Sequence, residues 1–268
     1  MGRNRRVKHH DGSMGEEPKQ TPPDKSNAAP SPLHRKADIS AIRPRTEAQG
    51  RYLSSIRSNI LTFGLGVAGT GKTFIAGSVA ADMLRDKQVE RMIFTRPAVE
   101  AGERMGFLPG TKEEKFDPYF RPYREVIERR LGSGNCQYAI KSGLIEAAPL
   151  NFIRGWTFSD CVVVLDEAQN CTLTEMKLFL TRIGENCKVI VSGDPSPHQR
   201  DIDGLSGLPD AVARCRLLPG VGVVYFTKAD VVRSGLVQQI VEAYDSPDDP
   251  ALPGQGDMDG LRRMFASG

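Results

Sequence analysis

The chain has 268 residues, 39% of them apolar and 26% charged, with a net charge of +3. That composition suits a globular core and excludes a collagen, a coiled coil or a wholly disordered chain. The longest strongly apolar run, residues 161–165, falls far short of the roughly 20 residues a membrane helix needs, so no membrane partner is expected. The charge is uneven: +5 over residues 1–45, +1 over 46–244 and −3 over 245–268. The basic start has no apolar segment behind it, which argues against a secretory signal. The five cysteines form no C-x-x-C pair. An odd count without metal spacing reads as reduced thiols of a cytoplasmic protein.

Residues 1–43 hold Thr21-Pro22-Pro23 and Ala29-Pro30-Ser31-Pro32 and few large apolar side chains. They bury too little to offset ordering entropy and read as a basic disordered tail, solvated or loosely holding RNA or DNA. Residues 44–246 form the expected domain. Within it, 60–64 reads as a strand, 72–85 as a helix and 91–95 as a strand. Next come a helix at 118–131, strands at 145–150 and 161–165, and a helix at 172–183 with Leu173, Met176, Leu180 and Ile183 on one stripe. Strands at 189–192 and 221–226 and a helix at 233–244 complete it. Residues 247–268 read as an acidic flexible tail. Strands alternating with helices predict an α/β fold: a parallel sheet with helices on both faces.

Residues 66–73 read Gly66-Val67-Ala68-Gly69-Thr70-Gly71-Lys72-Thr73, a full G-x-x-x-x-G-K-[ST] between a predicted strand and a predicted helix. The glycines let backbone N–H groups turn toward phosphate oxygens, and the helix N-terminus adds partial positive charge. Lys72 is expected on the β- and γ-phosphates and the Thr73 hydroxyl on Mg²⁺. Phe74 joins the binding set as the next residue of the helix. A second metal group is needed, and Asp166 leaves the apolar strand 161–165 at the end where α/β sheets bind ligands. Glu167 follows as the group to polarise water, as general base or orienter. Gly193-Asp194 closes the next strand, with Gln199 beyond it as a candidate γ-phosphate sensor.

These residues resemble the PhoH family, whose core is similar to the first RecA-like domain of superfamily-1 helicases. The likeness runs from about residue 43 to 244. It includes GVAGTGKT at 66–73, TRPAVEAGERMGFLPGTKEEK at 95–115, FIRGW at 152–156, LDEAQN at 165–170, LTRIG at 180–184 and DVVRSGLVQQIVEAY at 230–244. The resemblance implies a single RecA-like P-loop NTPase domain that binds and hydrolyses ATP with Mg²⁺. It implies that Gln49 reads the adenine edge and that Arg96 touches single-stranded nucleic acid. Arg182 and Arg233 become candidates for an arginine finger, in cis or in trans. It also implies homo-oligomers, often hexameric rings, working as a helicase-like motor on RNA or single-stranded DNA. The chain departs from the family pattern in two places. Residues 193–201 are two longer than the usual G-D-x-x-Q-x-D, and Ser234 stands where a His is usual.

Three other activities compete. Thr227-Lys228-Ala229-Asp230 mimics the guanine-reading N-K-x-D of a GTPase, but the second acidic motif is Asp-Glu-Ala-Gln rather than Asp-x-x-Gly. A small-molecule kinase would draw on Tyr119, Phe120, Arg121 and Tyr123 in the insert 98–131. An ATP-gated assembly module would bind nucleotide with little catalysis. A chain with room for one RecA-like domain is expected to unwind a duplex only as a ring.

Overall fold

Six apolar runs become six strands of one sheet, all parallel. They are β1 (Leu61–Gly66), β2 (Arg91–Arg96), β3 (Ile145–Pro149), β4 (Cys161–Leu165), β5 (Lys188–Gly193) and β6 (Val221–Phe226). The structure, a computed structural model, describes residues 36–97, 112–153, 155–196, 201–202 and 204–232. In space the strands run β3-β2-β4-β5-β1-β6. One strand, β5, therefore lies between β1 and β4, and the loops that leave these three strands at their C-terminal ends are neighbours.

The helices are α1 (Glu47–Ser58), α2 (Lys72–Arg85), α3 (Lys112–Leu131), α4 (Ser133–Lys141), α5 (Leu173–Leu180) and α6 (Gly207–Cys215). Successive strand residues point to opposite faces. Phe94, Val162, Val164 and Ile190 pack with Tyr52, Ile56, Ile75, Val79, Tyr123 and Ile127 of α1, α2 and α3. Phe63, Ile93, Val163 and Val191 pack with Met176, Phe179, Leu208 and Val212 of α5 and α6. Both faces are buried, which is why 161–165 carries no polar residue. The α/β architecture with helices on both faces is as the sequence predicts.

The expected α2, β4 and β6 appear at their expected bounds, and β1 and β5 are slightly longer than the sequence suggests. The stripe at 172–183 gives a shorter helix. Thr172 caps α5 in a reciprocal capping box with Glu175, and Ile183 leaves it to pair with Phe158. The helix expected from 118 starts at Lys112, with Pro118 and Pro122 inside it. Three helices had no clear periodic signal. In α1, Gly50 and three serines dilute the stripe, and Lys188 stabilises the far end by donating to Ile56 O, Arg57 O and Asn59 O at 2.8, 3.0 and 2.8 Å. Short α4 and α6 open with Ser133-Gly134-Asn135 and Gly207-Leu208-Pro209.

Residues 36–43, which the sequence assigns to the N-terminal tail, belong with the domain instead. Asp38 N–H donates to Arg129 O, Arg130 donates to Ser40 O at 2.8 Å, and Ile42 joins the core. The guanidinium of Arg130 is buried and also grips Asp82 of α2 at 2.7 Å. The remainder of both tails and the helix expected at 233–244 lie outside the described residues. Among the described residues no helix is long and apolar enough to cross a membrane.

Candidate functional site

β1 ends at Gly66 and α2 begins at Lys72, and the loop between them turns on Gly66, Gly69 and Gly71 at φ 137°, 79° and 85°. A Cβ on Gly66 would collide with Phe226 O, and one on Gly71 would lie 2.6 Å from Gln49 Nε2. Only glycine fits either place. Gly71 caps α2 without a side-chain hydrogen bond. Among the described residues, no backbone N–H from 67 to 73 has a hydrogen-bond partner. A ring of unspent donors at a helix N-terminus is a cradle for an anion. Lys72 folds back over the loop, donating from Nζ to Gly66 O at 2.5 Å and Val67 O at 2.8 Å. Burial lowers its pKa, against the pull of Asp166, Asp194 and Glu167.

Asp166 leaves β4 with its N–H on Thr95 O at 3.0 Å. Burial pushes its carboxyl up to about 6 and the Glu167 charge adds to this, while Arg96 and Lys72 oppose it. Glu167 sits in the left-handed region at φ 50°, ψ 40°. Gln169 fixes its carboxylate, donating from Nε2 at 2.5 Å, while Oε1 accepts the Asp194 N–H at 3.0 Å. The loop, Asp166, Glu167, Gln169 and Asp194 surround a cavity of about 370 Å³, with Val126 of α3 on one wall. A hydroxyl (Thr73) and a carboxylate raised by burial and a second carboxylate line it together. That donor set fits a hard divalent cation completed by phosphate oxygens and water.

The candidate residues divide between this cavity and other places. Residues Gly66 and Ala68 to Phe74, with Asp166 and Glu167, share it. Gln49 is buried beside it with its amide bonded within the chain: Oε1 accepts Arg45 N–H at 2.8 Å and Nε2 donates to Thr70 O at 2.9 Å. It stands at the edge of an adjoining cavity of about 520 Å³, walled by Arg43, Pro44, Phe74 and Val232. Arg96 stacks on Tyr119 of α3 with its guanidinium carbon 4.8 Å from the ring centroid, and its charge reaches Asp166. Arg182 is elsewhere. Its carbonyl accepts Phe158 N–H just ahead of β4, whereas Asp166 leaves the other end of that strand. It lines a separate cavity with Leu150, Phe158 and Glu175. Gln199 and Arg233 lie outside the described residues.

Two residues of the site, Gln169 and Val126, were not singled out from the sequence, and Tyr123 was named there only for a kinase's acceptor pocket. Gln169 stands in the LDEAQN run, but nothing in spacing reveals that its amide joins Glu167 to β5. Val126 and Tyr123 reach the site only because α3 folds across α2, a long-range packing without a local signature.

A parallel sheet carrying a glycine-turned loop at a helix head, faced by an Asp-Glu pair, defines the class of P-loop nucleotide-binding proteins. The PhoH-like protein family matches residues 41–245. The chain belongs to the PhoH family. It is 49% identical to Protein PhoH of Escherichia coli over 209 residues, 77% of this chain and 59% of that protein. A PhoH-like protein of Mycobacterium tuberculosis is 47% identical over 211 residues, covering 78% and 59%. One of Bacillus subtilis is 43% identical over 205 residues, covering 76% and 64%. The chain thus spans about three fifths of the length of these relatives. Among solved structures, the large terminase of a thermophilic bacteriophage superposes with a TM-score of 0.45 at 11% identity, over 76% of this chain and 51% of that one.

Proposed function

We propose that the chain binds ATP with Mg²⁺ and hydrolyses it, and that RNA or single-stranded DNA stimulates the turnover. The observation that carries the reading is the row of unspent N–H donors from 68 to 73, in the stretch that lines the same cavity as Asp166 and Glu167. The donors and Lys72 receive the phosphates, Thr73 and Asp166 hold the cation, and Glu167 orients the attacking water. The adjoining cavity beside Gln49 and Phe74 has the size for a nucleobase. A GTPase is disfavoured because the Asp230 carboxylate is taken by the Thr227 N–H and hydroxyl, at 2.9 and 3.0 Å.

Nucleic acid and assembly rest on the family and on the basic start of the chain. Arg182, at the far end of β4, serves a phosphate only across a subunit interface, which agrees with action as an oligomer. The test is steady-state ATP turnover with and without single-stranded RNA at low salt, beside Glu167→Gln. Stimulation by RNA, and loss of turnover with ATP binding kept in the variant, is the expected result. Binding without turnover makes the chain an ATP-gated assembly module instead.

A further inference from the structure

Tyr123 of α3 is fully buried, yet among the described residues its hydroxyl completes no hydrogen bond of good geometry. Buried polar atoms are nearly always paired, and a phenylalanine would fill the same space without that cost. The ring stands in a slot between α2 and the sheet. It packs on Phe94 with centroids 4.4 Å apart, and a Cβ added to Gly77 would come within 3.3 Å of it. Gly77 lies one turn beyond Thr73 on the same side of α2. Phe94 is level with Val164 of β4, two residues before Asp166 and on the same face. The far end of the ring thus comes to the place where Thr73 and Asp166 meet. The hydroxyl lies beside both side chains, close enough to interact with each, but it completes a hydrogen bond of good geometry with neither. Three residues on, Val126 presses on Gly77 and forms a wall of the phosphate cavity. The same turn of α3 therefore touches the site twice.

We propose that Tyr123 is a positioning residue for the metal–nucleotide site: its hydroxyl accepts from the Thr73 hydroxyl and donates to the Asp166 carboxylate when these two groups hold Mg²⁺ and a triphosphate. This rests on the ATP reading above. Thr73 must point its oxygen lone pair at the cation, so its proton needs an acceptor, and the Tyr123 oxygen is in place. Asp166 is kept in its cation-facing orientation by the Tyr123 proton. α3, which also brings Tyr119 to Arg96, is thereby tied to the occupied site.

The experiment uses the full chain and a fluorescent ATP analogue, titrated with and without Mg²⁺, together with melting of the ligand-free protein. Tyr123→Phe is expected to leave the ligand-free Tm unchanged or higher and metal-free nucleotide affinity unchanged. It is expected to raise the Mg²⁺ concentration for half-saturation about 10-fold, as loss of a hydrogen bond to a charged group requires. Tyr52→Phe is the control. That hydroxyl is satisfied by Ser192 at 3.0 Å, so its loss lowers the Tm and leaves the Mg²⁺ requirement alone. A native Mg²⁺ requirement in Tyr123→Phe, or a Tm loss matching that of Tyr52→Phe, overturns the proposal. A native chain that binds no nucleotide with Mg²⁺ overturns the ATP reading itself, and the positioning role with it.

Discussion

Gln169 holds Glu167 in place, donating to its carboxylate at 2.5 Å while the same amide accepts the N–H of Asp194. The acid that faces the phosphate cavity is thus fastened to the end of β5, the strand that separates it from the loop strand β1. A water-orienting group must be held to a fraction of an ångström, and small misplacements cost up to about 100-fold in rate. Gln169→Leu is expected to lower kcat about 10- to 100-fold with KM little changed. Glu167→Gln removes the carboxylate itself and is expected to cost about 10²- to 10⁴-fold. Steady-state ATP turnover checks both, and equal losses in the two variants would show that Gln169 does more than position.

Asp166 makes the ligand-free protein pH-sensitive. Its carboxyl titrates near 6 in the folded chain against 3.8 for an ordinary aspartate. A raised pKa means the folded state binds the proton more tightly, so stability from this group is present below about pH 4 and lost as pH rises through 6. Asp166→Asn is therefore expected to stabilise the ligand-free protein above pH 7 by about 1–3 kcal/mol, with the difference vanishing near pH 4. Melting curves across that range check it. Mg²⁺-dependent nucleotide binding by the native chain should weaken as the pH falls below about 6.

Gln49 is bonded on both sides of its amide, to Arg45 N–H and Thr70 O. Gln49→Leu leaves that donor and that acceptor unpaired in a buried place, with an expected stability loss of about 2 kcal/mol. If it also reads adenine with its remaining N–H, the variant loses preference for ATP over GTP. Denaturation and competition binding separate the two effects.

Gly66→Ala is expected to cost at least about 3 kcal/mol, since the backbone there has φ 137° and the new methyl would meet the Phe226 carbonyl. Gly143→Ala is the comparison. Its φ of 75° is also left-handed, but open space surrounds it, so the cost should be only about 1 kcal/mol. Urea denaturation of the two variants measures the difference.

The parts legible in the sequence are those where chemistry demands fixed residue types at fixed spacing. The loop 66–73 and the pair Asp166-Glu167 belong here, as do strands such as 161–165 whose burial on both faces leaves no room for a polar side chain. α1 was hidden because part of its stability comes from Lys188, far along the chain, reaching its last carbonyls. The link from Gln169 to Glu167 and the place of Tyr123 beside Thr73 and Asp166 were hidden, because they exist only once β5 lies beside β4 and α3 crosses α2. Arg182 was legible as a residue type suited to a phosphate contact, but not its place: it follows α5 at the opposite end of β4 from Asp166.

The left-handed backbone of Glu167 sets two kinds of fitness against each other. A side chain other than Gly, Asn or Asp in that conformation costs about 1–2 kcal/mol, which the fold must carry at a residue lining the cavity of the glycine loop. Glu167→Gly relieves the strain and removes the carboxylate at once, so a library screened for heat resistance should enrich it and one screened for turnover should purge it.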